Sequence, residues 1–364
     1  VQSVRFSNAT NRLSPANSSA VRQQVQQALQ ASQANAPQTA LANSVIGQQV
    51  AQLQANQLQA APYNLNGAGV KIGFVSDSYN CYAASGRTPT AAAGVANGEL
   101  PANVTVLNDA ATFGLNCANQ TDATRALVEA AYDIAPGATY AVASMGASKA
   151  DFATSIQALI NWGAKVIATD VVYTNEAMFQ DDIIAQLFDQ AAAQGVTVFT
   201  LSHNNRDASW QGAGLDNNGN NWLEFDNAST ERLTFTPASS GYYRTLLTWD
   251  QPFKSISGQT GNVDLALFIY RSSDNALMAS ADWNNYTNDP YELTTPNLVG
   301  GTSYYLAVKK NSGTTPGLVK ILFQNSAGVT FNPAASAPTI YGNSNALGAI
   351  TVAGSVDNDA QRET

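Results

Sequence analysis

The sequence predicts an α/β parallel sheet with flanking helices, interrupted by an all-β sandwich and preceded by an α-helical extension. Three observations carry this. Strand and helix patterns alternate from Gly67 to about residue 205, the helical period vanishes from about Trp210 to Phe331, and α/β texture returns from Thr339 to Val356. The boundaries that follow are 1–62 for the extension, 63–208 for the first part of the α/β domain, 209–334 for the sandwich and 335–364 for the return.

In the extension, Val21, Val25 and Leu29 recur every four residues, and Ile46, Val50 and Leu53 follow a similar spacing. Two amphipathic helices in an Ala- and Gln-rich background are expected, docked on the next domain, with a pro-segment remnant or an assembly arm as the alternatives. From Gly67 the strands are Val70–Val75, Val104–Leu107, Thr139–Ala143, Lys165–Ala168 and Val196–Leu201, short apolar runs suited to a buried parallel sheet. Between them Thr124–Tyr132, Lys149–Trp162 and Asp181–Gln194 carry helical spacing. Asp77, Asp170 and His203-Asn204 fall at carboxyl ends of strands, where such sheets place functional groups. In the sandwich, Leu233–Phe235, Tyr243–Trp249, Val263–Tyr270, Ala276–Ser280, Ser303–Lys309 and Val319–Phe323 read as strands between Gly, Asn, Ser and Pro clusters. Ala349–Ala353 is the return strand.

Composition excludes several functions. Charged residues make up 12% of the 364, against about 25% in an average protein, while 35 Asn and 25 Gln supply the polarity. The formal charge of -9 argues against a nucleic-acid partner, which needs clustered Lys and Arg. No apolar run approaches the ~18 residues of a membrane-spanning helix. One His and two Cys leave no His-rich or thiolate metal site.

Four segments, in order, resemble the subtilases, the subtilisin-like serine peptidases. Gly69-Val70-Lys71-Ile72-Gly73-Phe74-Val75-Ser76-Asp77-Ser78 is similar to the strand ending in the catalytic Asp. Asp122 to Ala138, with its Ile134-Ala135-Pro136, resembles the catalytic-His helix and its sequel. Val196 to Asn204 resembles the strand delivering the oxyanion Asn, and Leu347 to Ala353 the strand that follows it. The β-insertion, through Thr248 to Phe253, Asp264 to Tyr270 and Gly301 to Leu306, resembles the bacterial pre-peptidase C-terminal sandwich. A bacterial secreted subgroup of subtilases carries such an insertion. In that subgroup a Cys follows the Asp motif and another precedes the helix, which implies a Cys81–Cys117 disulfide and an oxidising, extracytoplasmic compartment.

The resemblance casts Asp77 as the carboxylate that orients a base and Asn204 as a vestigial oxyanion donor. Counting back from Ile134, the base position falls on Ala123, where the subgroup commonly has Glu; an alanine cannot take a proton. Asp122 is a neighbouring substitute or a helix cap, and His203, the one imidazole, a remote candidate base. The expected Gly-Thr-Ser-x-Ala-Ala-Pro nucleophile turn does not occur within the 364 residues, and Gly301-Thr302-Ser303 runs into a strand instead. Thr124 and Val172 further depart by replacing small residues. A catalytically inactive binding, adhesion or assembly module at the cell surface is therefore expected, with a truncated, processed or inactivated serine endopeptidase as the alternative. Its expected partners are a protein or polymer, with self-assembly through the N-terminal helices. The resemblance allows Ca²⁺ on Asp181-Asp182 or on Asp282 to Asp289, both also plain loop carboxylates. Trp249, Trp283 and Tyr286 are aromatic candidates for polymer contact, with core packing as the other reading for Trp249.

Overall fold

The computed structural model describes residues 45–203, 205, 208–226, 230–324, 328–332, 334–335, 337–355 and 362–363. The helix expected around Val21–Leu29 lies outside them, as does Asn204. The chain divides into two compact units: Val1–Val171 with Ile183–Leu201 and Asn345–Val352, and Val172–Asp182 with Ser202–Ser344 and Ala353–Thr364.

The first unit is an α/β sheet. Its strands are β1 (Lys71–Ser76), β2 (Thr105–Val106), β3 (Thr139–Ser144), β4 (Val166–Thr169), β5 (Thr197–Leu201) and the return strand Ala349–Val352. They lie in the order return–β5–β4–β1–β3–β2, and every pair is parallel. The expected strand at Val104–Leu107 shrinks to a two-residue edge ladder, exposed at both positions. The central strands explain the sequence pattern. Val75, Tyr140, Ala141, Val142, Ile167 and Val198 are fully buried, so no polar alternation survives in them. Helices Ala123–Ile134, Lys149–Trp162 and Ile183–Ala193 flank the sheet. Gly73 lets one of them approach: a Cβ there would stand 2.7 Å from Leu159 Cδ2.

The stripe Ile46, Val50, Leu53 does not make one helix. Gln49–Gln52 and Ala55–Gln59 are separate short turns broken at Gln54, whose φ of 57° is left-handed. Val50 is buried, but Leu53 is 67% exposed. Amides do the docking instead. Gln59 Nε2 donates to the carbonyls of Asp133 and Ile134 at 2.8 and 2.9 Å, and the Gly47 N–H donates to Asp133 Oδ2 at 2.8 Å. The two Gln59 bonds satisfy carbonyls that a helix C-terminus leaves open, which an apolar-period argument cannot see.

The second unit holds an antiparallel sandwich. In chain order its strands are β6 (Ser209–Gly212), β7 (Leu233–Pro237), β8 (Gly241–Tyr242), β9 (Arg244–Trp249), β10 (Val263–Arg271), β11 (Leu277–Ala281), β12 (Tyr291–Thr294), β13 (Asn297–Leu298), β14 (Tyr304–Gly313), β15 (Val319–Gln324) and β16 (Val329–Asn332). One sheet runs β11–β10–β14–β7–β16, the other β12–β9–β15–β6. Their facing side chains, among them Phe235, Leu247, Trp249, Leu267, Leu306 and Phe323, form one core. Each such side chain contributes about 1.5–3 kcal/mol on burial. Trp249 is fully buried here and offers nothing to a polymer. Among the described residues, no helix is long and apolar enough to cross a membrane.

Candidate functional site

Asp77 follows β1 at its carboxyl end, as expected, but its partners are backbone donors. Oδ1 accepts from the N–H of Ser78 at 2.5 Å and of Ala123 at 2.8 Å. Oδ2 accepts from the N–H and Oγ1 of Thr121 at 2.5 and 2.6 Å. Ala123 is the first residue of the Ala123–Ile134 helix, so Asp77 caps that helix from a different strand and sets negative charge at its positive end. Ala123 itself carries only a methyl, with no proton acceptor on it.

Asp122 occupies the N-cap position with a left-handed φ of 56°, yet its side chain accepts no hydrogen bond from the backbone N–H groups of its own helix. Its buried carboxylate turns to Ser78 Oγ (2.6 Å), to the N–H groups of Cys81 (2.7 Å) and Tyr82 (3.0 Å), and to Arg125 (2.8 Å). Arg125 is itself 5% exposed, so the ion pair lies inside. Cys81 and Cys117 form the expected disulfide. The Arg87 guanidinium bonds the carbonyls of Cys117 and Gln120, and Asp109 accepts from the N–H groups of Tyr79 and Asn80. Arg125 and Asp109 were not legible as site residues; their only signal was charge in a chain that has little. Thr124 Oγ1 is buried with no hydrogen-bond partner.

Asp170 follows β4, the neighbour of β1. Loss of surrounding water raises its carboxyl pKa, and the Asp77 charge adds to this against a hydrogen bond from Ser76. The ends of β1 and β4 thus hold two carboxylates of different environment.

His203 belongs to the second unit. It sits 5% exposed at φ 66°, its ring stacked on Tyr341 at 4.6 Å and 18°. Nε2 lies 3.3 Å from the Tyr341 carbonyl, to which its N–H donates. Burial pulls its pKa down to about 4, the Lys320 charge adds to that, and the Tyr341 carbonyl opposes it. An unfolded His titrates near 6.5, so between 4 and 6.5 the unfolded chain binds more protons. The stabilisation is complete above about 6.5 and is lost as pH falls towards 4. A His203→Asn variant, which tolerates the left-handed backbone, is expected to melt below the wild type at pH 7 and to close that gap by pH 4. Thermal melts across that range check it; a gap independent of pH contradicts it. Ser303 precedes β14 and bonds Ser272 Oγ at 3.0 Å.

Three of the carboxylates suggested for Ca²⁺ accept hydrogen bonds from the protein. Asp182 Oδ2 accepts from the Ala177 N–H, Asp282 accepts from Asn311 Nδ2 at 2.6 Å, and Asp289 accepts from Ser255. Among the described residues no group of three or more His, Cys, Asp or Glu could hold a metal.

A second feature lies on the sandwich. A cleft of about 600 Å³ is lined by Lys254, Trp283, Asn284, Asn288, Asp289 and Tyr291. Behind it Glu292 is fully buried, and burial pushes its pKa up to about 8, with the charges of Asp264 and Asp282 adding to this.

No protein-family model matches the chain, and no curated protein does. Among solved structures it is similar to the Clostridium perfringens CspB protease, at 12% identity over 83% of this chain and 73% of that one, with a TM-score of 0.44. It also resembles the prenylagaramide maturation protease PagA, at 15% identity over 37% of this chain and 46% of that one (TM-score 0.22). A third likeness is to a carbohydrate-binding module from Cellvibrio mixtus lichenase 5A, at 15% identity over 34% and 93% (TM-score 0.19). At these values the likenesses assign no activity.

Proposed function

We propose that the chain is a secreted, subtilase-like protein that does not hydrolyse peptide bonds and acts as a binding module for a protein or polymer at the cell surface. One observation supports this reading: the Asp77 carboxylate accepts hydrogen bonds from the Ala123 and Thr121 backbone, and Ala123, which the resemblance puts at the base position, carries no proton acceptor. A triad needs a proton acceptor between carboxylate and nucleophile, and removing one member of such a unit abolishes most of its action. The Cys81–Cys117 bond supports an extracytoplasmic location, since such bonds persist in oxidising compartments.

Asp77, kept at the strand end, favours a second reading, a serine endopeptidase in which Ala123 replaces a native acid or base. One experiment separates them. The product of the complete gene, with codon 123 as found in the genome, is treated with a fluorophosphonate probe. No covalent adduct by mass spectrometry is expected. Stoichiometric labelling of a serine would overturn the module reading and leave the peptidase.

A further inference from the structure

We infer that the cleft beside Trp283 is a binding site for a neutral sugar ring of a polysaccharide. The inference rests on the binding-module reading only in naming what that module holds.

The turn between β11 and β12 exposes an aromatic ring and fixes it firmly. Trp283 is 53% exposed, where a large apolar ring ordinarily hides. Its backbone N–H donates to Glu292 Oε1 at 2.8 Å, and its ring meets Tyr291 edge-on at 6.1 Å and 86°. Tyr291 in turn stacks on Phe253 at 6.3 Å. Asn285, buried beneath, anchors the turn by donating its N–H to Asp264 Oδ1 (2.8 Å) and its Nδ2 to Glu292 Oε1 (2.7 Å) and the Tyr291 carbonyl (2.8 Å). Asp289 closes the far end on the N–H and Oγ of Ser255 at 2.9 and 2.6 Å. A turn nailed at both ends loses little freedom on binding, which is how preorganisation raises affinity.

The ligand class follows from what this rigid turn presents. The negative face of an indole attracts the weakly positive C–H groups that line one face of a pyranose. Around it, exposed Asn284, Asn288 and Lys254 offer donors and acceptors for a rim of hydroxyls. The volume falls within the ~300–1,000 Å³ of small-ligand clefts. A polyanion is disfavoured, because Lys254 is the one cation lining the cleft, it shares it with Asp289, and the chain carries -9. A peptide is disfavoured because the lining has no aliphatic pocket for alternate side chains.

The test titrates the full chain with cellohexaose, maltohexaose and chitohexaose, reading tryptophan fluorescence and binding heat. Saturable binding to at least one is expected, weakened by about tenfold or more in Trp283→Ala and more mildly in Asn288→Ala. Both side chains are exposed, and melting curves matching wild type show that each variant is folded. No binding to any of the three up to about 10 mM overturns the inference. So does equal binding by Trp283→Ala, or Trp283-dependent binding to gelatin or polygalacturonate alone. Fluorophosphonate labelling would remove the module reading and leave this site intact, so the two failures are distinguishable.

Discussion

Asp122→Ala is expected to destabilise the α/β unit by about 3–5 kcal/mol, because it strands a buried cation. Arg125 is 5% exposed and its nearest anion is the Asp122 carboxylate at 2.8 Å; Glu129, at 3.5 Å and itself partly exposed, is a weaker substitute. The same substitution leaves the N–H groups of Cys81 and Tyr82 and the hydroxyl of Ser78 without their acceptor. Denaturant unfolding with a probe in the α/β unit measures the change. Asp122→Asn keeps an acceptor oxygen but not the charge, and is expected to fall between alanine and wild type. A loss below about 1 kcal/mol for the alanine variant, the range of surface pairs, would show that the ion pair is not buried as described.

Removing the disulfide, as Cys81→Ser with Cys117→Ser, is expected to lose about 4 kcal/mol by the loop-closure estimate for a 36-residue separation. The bond ties the segment after β1 to the segment before the Ala123–Ile134 helix, the two pieces that Asp77 and Asp122 also join. The effects are therefore not independent. Cys81 donates its N–H to Asp122, so the combined variant is expected to lose less than the sum of the two. Equal denaturation midpoints with and without reductant would contradict the estimate.

The parallel strands were legible because Val75, Val142 and Val198 are buried on a two-faced sheet, which leaves an uninterrupted apolar run. The helix at Lys149–Trp162 was legible in its helical spacing, with Phe152, Ile156 and Leu159 on the buried face. Helices Cys81–Ala84 and Ala91–Asn97 were missed, since short Ala-rich turns have no apolar period. β6, β12 and β16 are four-residue strands whose pairing comes from distant neighbours. At the candidate site the resemblance implied a pairing of positions 77 and 123, and the Ala123 N–H lies 2.8 Å from Asp77 Oδ1. What position could not give was direction. Adjacent Asp77 and Asp122 capping each other's turns is a matter of backbone dihedrals, set at Asp122 by a positive φ that sequence pattern does not disclose. The ring environment of His203 was equally hidden, because Tyr341 lies 138 residues away.

Glu292 alters how the molecule's charge is counted. The formal -9 treats every carboxyl as ionised, yet this one, with its pKa near 8 against 4.5 for a free glutamate, still holds its proton at neutral pH. The folded protein is thus one charge less acidic through this residue than its sequence states. Unfolding at pH 7 hands that proton to the buffer, so the sandwich under the Trp283 turn opens more readily as pH climbs from 4.5 to 8.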